Sequence, residues 1–353
     1  MFPSLLALLL PLYAVAADSR LPEATGPLRI NPENPCWFVR PDGQAVWLTG
    51  SHTWANFQER GVEGQTPDFR KANNVNGIDG NPSGDDSGHE VHELKVPEIT
   101  RLQEAFVRRV IEAVGDRDNV LWEIGNECHS GSVQWQYHMI RCIKQVESTR
   151  AQQHPVGMTG APIGTRDLMA SPADWISPPG KQWLTDPPAN DGTGVVLVDT
   201  DHCDPWNHNP DWVWKNLFRG NQFILMDGYV DFRIGSPAKP DPKWDVTRQA
   251  MGRARKLAER IELAGLRPNP ELASTGFCLA TPVNGGGAFR CAVYLSEGDK
   301  ATVDLTKVKG SLGVEWVHPS TGRSVVADPV TGGGDREFSV PFGSEAVLYL
   351  SRQ

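Results

Sequence analysis

Two stretches of the 353-residue chain bring together residue types that can share a reaction. In Val120-Leu121-Trp122-Glu123-Ile124-Gly125-Asn126-Glu127 an apolar run ends in an amide beside a carboxyl. In Val195-Val196-Leu197-Val198-Asp199-Thr200-Asp201-His202 a second run ends in two carboxyls and an imidazole. One carboxyl can protonate a leaving oxygen while another acts as nucleophile or base, which is the division of labour in glycosidic bond cleavage. Glu127 is the candidate acid and Asp199 the first candidate for its partner. Asp201 can exchange roles with Asp199, because residues two apart share a face if the strand continues. Asn126 would hydrogen-bond a sugar hydroxyl beside the reacting carbon, and His202 would orient the acids or bind substrate. Asp227 closes Phe223-Ile224-Leu225-Met226 in the same manner and is a candidate substrate contact. The competing role for all three aspartates is to cap the helices that follow, which Asp does well.

Further polar and aromatic residues are expected near the same strand ends. His52 and Trp54 follow the first apolar run, and His129 follows Glu127. Three histidines (His52, His129, His202) could instead converge on a metal. Trp54, Trp135, Trp206, Trp212 and Trp214 offer flat faces for a sugar ring, although Trp212 and Trp214 alternate at a helix start, so that at least one belongs to the core. A separate loop, Asp79-x-Asn81-x-Ser83-Gly84-Asp85-x-Ser87-x-x-Glu90, places oxygens, a glycine and a terminal glutamate at the spacing of a calcium loop. Asp79, Asn81, Ser83 and Glu90 are its candidate ligands for a structural Ca2+. Pro82, Asp86 and the lack of a preceding helix depart from that pattern. No cofactor is required by the two-carboxylate chemistry.

These residues need rigid elements to position them. Apolar runs at 45–49, 120–124, 155–159, 174–176, 195–199 and 223–227 read as parallel strands covered on both faces, separated by helical patterns such as 98–114 and 246–263. Several end in acids, and in a parallel α/β barrel the strand C-termini form the active-site rim. A closed barrel takes eight strands in about 250 residues, yet only six runs are present. The shortage falls in the seventy residues between Thr49 and Val120. From 273 onward the pattern changes to short strands split by Gly-rich turns, as in a small antiparallel sandwich. Pro268 and Pro270 mark the change. The expectation is an α/β chain: an incomplete (β/α)8 TIM-barrel-like unit at 18–267 and a C-terminal antiparallel β-sandwich at 268–353.

Length and composition agree with two globular domains. With 34 Lys plus Arg against 43 Asp plus Glu, the chain carries a net charge of −9 and no basic block, which speaks against nucleic acid as a partner. Residues 1–17 read as an export signal, with an apolar run from Leu5 to Leu12 and a small-x-small site at Ala14-Val15-Ala16. That run is too short to span a bilayer, so a secreted or periplasmic location without a membrane span is expected. Six cysteines form no CxxC, and Cys278 and Cys291 are the best candidates for a disulfide. Phosphate-loop, dinucleotide, zincin and serine-esterase motifs are absent.

Taken together, Leu48-Thr49-Gly50-Ser51-His52-Thr53-Trp54-Ala55-Asn56-Phe57, Trp122 to Glu127, Asp199 to His202 and Phe223 to Asp227 resemble exported bacterial proteins of the cellulase-like glycoside hydrolase superfamily. The tail, with Ser274 to Cys278, Val314 to Pro319 and Ala346 to Leu350, is similar to a small β-sandwich named for collagen binding. The resemblance implies a TIM barrel, a carbohydrate substrate and Glu127 as acid/base, and collagen enters only through the name of the tail domain. It does not specify the sugar or an oligomeric state. Relatives carry Glu where this chain has Asp199, a retreat of about 1.5 Å, and have further βα units between about 57 and 73. Those departures imply an internally shortened member, for which the alternative is a catalytically impaired carbohydrate- or matrix-binding protein.

Overall fold

The structure, a computed structural model, describes residues 26–52, 77–85, 87–230, 239–283, 288–343 and 345–352. The export segment, Trp54 and the shortened stretch at 57–73 lie outside them. Six strands form one parallel sheet: β1 (Thr49–His52), β2 (Trp122–Glu123), β3 (Val156–Thr159), β4 (Trp175–Ser177), β5 (Val195–Asp199) and β6 (Gln222–Met226). Their order is β1-β6-β5-β4-β3-β2. The first strand thus pairs with the last, Thr49 opposite Phe223, which is the seam that closes a barrel. Among the described residues β1 and β2 are not paired, and the sheet is a curled half-barrel open between them. This opening coincides with the interval where the apolar runs ran short.

Parallel neighbours need crossovers. These are α1 (Pro97–Val114) ahead of β2, then α2 (Val133–Glu147), α3 (Thr165–Met169), α4 (Gln182–Thr185), α5 (Pro210–Phe218) and α6 (Asp245–Arg260), one after each strand from β2 onward. Every residue of β3 is buried, and so are Val195 to Val198 of β5, because helices cover one face and an inner core the other. Val196 and Val198 pack among the helix side chains, whereas Val195 and Leu197 meet Phe38 and Trp175 on the opposite face. Gly157 in β3 is obligatory, since a Cβ there would lie 2.0 Å from the Trp175 ring. Beside the opening, α1 buries only Ile111 and leaves Phe106 69% exposed.

The first strand begins four residues later than the apolar run suggested. Ala45–Val46 instead pairs antiparallel with Phe38–Val39, which also pairs with Arg29–Ile30. The switch occurs where Gln222 accepts the Leu48 N–H and Trp47 donates to the Asn221 carbonyl, so the chain joins β6 only after Leu48.

Eight further strands follow: β7 (Arg267–Pro268), β8 (Cys278–Ala280), β9 (Arg290–Leu295), β10 (Lys300–Asp304), β11 (Ser311–Val317), β12 (Ser324–Thr331), β13 (Asp335–Ser339) and β14 (Ala346–Arg352). They form an antiparallel sheet of order β7-β8-β9-β14-β11-β12 and a pair β10-β13. Strand alternation divides the larger sheet between two cores. Cys291, Val293 and Leu295 face the sandwich interior, while Ala292 and Tyr294 face the helices of the half-barrel. Tyr294 stacks near Trp214 and donates its hydroxyl to Asp211 at 2.8 Å. Cys278 and Cys291 are adjacent free thiols, 3.5 Å apart, rather than a disulfide. In the register Cys278 stands opposite Val293 and Cys291 opposite Ala280, so the two are diagonal neighbours.

Candidate active site

Because the six strands are parallel, their C-terminal ends share one edge. His52 ends β1, Glu123 ends β2, Thr159 ends β3, Ser177 ends β4 and Asp199 ends β5. Past Asp199 the backbone leaves the sheet in a short 3-10 turn, Thr200 to His202. Asp199 caps this turn by accepting the Asp201 N–H at 3.0 Å. Thr200 is buried, and its hydroxyl accepts the Met226 N–H at 2.7 Å, tying the end of β5 to that of β6. The turn therefore separates two acids that a continued strand would have aligned.

Asp201 and His202 meet Glu127. One carboxylate oxygen from each acid and a ring nitrogen of His202 all lie within 4.8 Å of one another. His202 places Nε2 2.8 Å from Asn126 Oδ1 and Nδ1 3.4 Å from Ser177 Oγ, bridging the loop after β2 to the end of β4. Glu127 itself has φ +50°, in the left-handed region that L-residues adopt at a cost. Strain of this kind concentrates at functional sites.

Asp199 belongs to a second pair beside this cluster, with its Oδ1 3.0 Å from His52 Nε2. Burial opposes charge on the His52 ring, but the Asp199 hydrogen bond and the negative charges of Asp199, Asp201 and Glu123 outweigh it and hold its pKa above the ordinary imidazole value. Next in the chain, burial and then the charge of Asp199 push the Cys203 thiol up to about 12, which leaves it unreactive at neutral pH.

The structure departs from the sequence expectation at several residues. Asp199, the first choice for nucleophile, faces His52 and caps its own turn, and Asp201, the residue that can exchange roles with it, is the one beside Glu127. Asp227 is 5% exposed, and both its oxygens grip Arg248 of α6, at 2.5 and 2.8 Å, so it anchors a helix. His129 stacks on His89 at 4.0 Å and faces Glu93, so the three histidines do not converge on a metal. Trp135, Trp212 and Trp214 are buried, whereas Trp206 is 66% exposed in the loop after His202.

In the candidate calcium loop, Asp79 accepts the Asn81 N–H, Asn81 accepts the Ser83 hydroxyl, and Glu90 reaches back to the Ser83 N–H at 3.1 Å. The other Glu90 oxygen is buried without a hydrogen-bond partner among the described residues.

Two features escaped the sequence reading. Glu123 accepts the Thr159 hydroxyl across the ends of β2 and β3, and Ser177 contacts His202. Both Thr159 and Ser177 are single polar residues that terminate apolar runs, and that signal was available. Among the described residues, Glu127, Asp201 and His202 form the one group of three His, Cys, Asp or Glu side chains close enough to share a metal ion.

No family model and no curated protein matches the chain. Solved structures do. A glycoside hydrolase family 5 protein from Bacteroides vulgatus ATCC 8482 is 14% identical, with a TM-score of 0.52, over 71% of this chain and 66% of that one. A second, described as a glycoside hydrolase, is 12% identical, with a TM-score of 0.52, over 91% of this chain and 84% of its own. At such identity the likeness concerns fold alone: this chain has a TIM-barrel-type architecture seen in glycoside hydrolases, with an antiparallel sheet unit at its C-terminus.

Proposed function

We propose that this protein is an exported glycosidase that cleaves O-glycosidic bonds of a polysaccharide or oligosaccharide with a carboxylate pair. Glu127 is the acid/base and Asp201 the partner. The observation that carries the reading is the approach of these two carboxylates to within 4.8 Å at the C-terminal rim of a parallel sheet. In retaining glycosidases the two carboxyl groups are about 5–5.5 Å apart, against about 6.5–9.5 Å in inverting ones, so retention is the expected outcome. Asn126, held by His202, lies next to Glu127 to bind a sugar hydroxyl, and Trp206 offers an exposed ring face. Asp199 and His52 support the cluster from behind through the Asp201 backbone.

Hydrolysis of a glycan panel by the wild type, with Glu127→Gln and Asp201→Asn as controls, tests the assignment. Turnover by either variant equal to the wild type would end it. Among the described residues β1 and β2 are not paired, which favours a second reading, a carbohydrate-binding protein that does not cleave. In that case glycans bind to the wild type and no reducing ends appear. The carboxylate mechanism needs no metal. A Ca2+ ion at Asp79, Asn81, Ser83 and Glu90 would serve only to order its loop, and calorimetric titration with Ca2+ tests this.

A further inference from the structure

The basic side of α6, which sequence alone would assign to solvent, closes a cavity against the sandwich. Arg253, Lys256 and Arg260 recur at i, i+3 and i+7, and so share one side of the helix. Together with His318 they line a hollow of about 230 Å3, whose apolar walls come from Trp214, Leu257 and Val317. The opposite wall is the turn between β11 and β12. It is fixed by the His318 to Arg323 and Gly322 to His318 backbone bonds, with Gly322 at φ +72°. Arg260 is neutralised across the interface by Glu315 at 2.5 Å. Arg253 bonds only a neutral partner, Gln249, and Lys256 has no ion pair among the described residues. His318 accepts the Ser320 N–H at Nδ1, with the Glu345 carboxylate 3.9 Å from that nitrogen, which leaves Nε2 as the ring nitrogen free to donate.

The C-terminal partial charge of a helix draws cations only to its last turn, which accounts for Arg260 but not for Arg253. Like charges on one helix side repel, and here two of them face a concave wall in a chain of net charge −9. The volume is below the roughly 300 Å3 where drug-sized clefts begin, which suits a single anionic group and not an extended chain.

We propose that this cavity between α6 and the β11–β12 turn is a binding site for an oxyanion, carried free as sulfate or phosphate or borne on a sugar ring as a carboxylate. Arg253 and Lys256 supply charge and His318 a directional donor. The site is separate from Glu127 and does not depend on hydrolysis.

Thermal unfolding of the full chain is followed at constant ionic strength, balanced with chloride, against sodium sulfate, sodium phosphate, sodium glucuronate and glucose. A ligand that binds the folded state alone raises the midpoint saturably. The expected result is a saturable rise with at least one of the three anions and none with glucose. A stronger response to glucuronate than to sulfate or phosphate assigns an acidic sugar, and the reverse assigns a free ion. Arg253→Gln/Lys256→Gln should weaken the response about tenfold or more, through loss of charge-assisted bonds. Arg255→Gln, on the same helix but outside the cavity, should leave it intact. Absence of saturation, or an equal response in the double variant with its unliganded midpoint unchanged, would overturn the site. If the double variant unfolds early, the same comparison is made with Lys256→Gln alone.

Discussion

Asp199 accepts the backbone N–H of Asp201 at 3.0 Å, so one acid of the Asp-Thr-Asp-His segment holds the other in place. The pair is asymmetric. Asp199 also faces His52, while the Asp201 carboxylate reaches Glu127. If Asp201 is the reacting group, Asp201→Asn should lower kcat by about 10²–10⁴-fold, the range for a positioned proton-transfer or partner group. Asp199→Asn should cost less, because an amide oxygen can still cap the turn. Steady-state kinetics on any cleaved glycan decide, and a larger loss from Asp199→Asn would reverse the assignment.

Glu127 pays for its position with a left-handed backbone. It is exposed, so truncating it removes little packing. Glu127→Gly should therefore be at least as stable as Glu127→Ala, by up to about 1 kcal/mol after the entropy of glycine in the unfolded chain is counted. Denaturant titration of the two variants measures the difference, and a clearly less stable Gly variant would mean that no strain is stored there.

The His52 pKa is raised in the folded chain by Asp199 and its acidic neighbours acting against burial. The ring thus binds a proton more tightly when folded. Its contribution is fully present below the unfolded value of about 6.5 and is lost as pH rises through the higher folded value. The gap in thermal midpoint between the wild type and His52→Gln should be widest below about pH 6 and narrow as pH rises through the folded value. With His52 one-third exposed the effect is modest, since solvent screens the pair. A gap that widens with pH would contradict the pairing.

Asp227 and Arg248 form a two-pronged ion pair, and Arg248 also holds Asp245 at 2.6 Å. Asp227→Asn leaves the guanidinium with Asp245 as its one carboxylate partner, beside the Asp241 and Gly228 carbonyls, and should cost about 2–3 kcal/mol, below the full penalty for a completely buried pair. KM for any substrate should stay near the wild-type value. A rise in KM with unchanged stability would return Asp227 to the binding surface.

The legible features were those encoded by local periodicity. Five of the six parallel strands, the helices at 97–114 and 245–260 and seven of the sandwich strands follow from apolar runs, helical spacing and Gly-rich turns. Errors arose where a local pattern met a long-range constraint. Residues 45–49 read as one strand because they are apolar, but a contact with Gln222, remote in sequence, decides where pairing with β6 begins. Asp199 and Asp227 each end an apolar run and look alike in sequence. One faces His52 and the other Arg248, partners that local spacing does not reveal.

By itself the amino-acid order determined most of the strands and that acids and amides cluster at their ends. Only the tertiary structure decided which of those acids meet. A parallel sheet brings strand ends from distant parts of the chain to one edge, but the turn after each strand sets where its side chain points. A single capping bond after Asp199 was enough to hand the place beside Glu127 to Asp201.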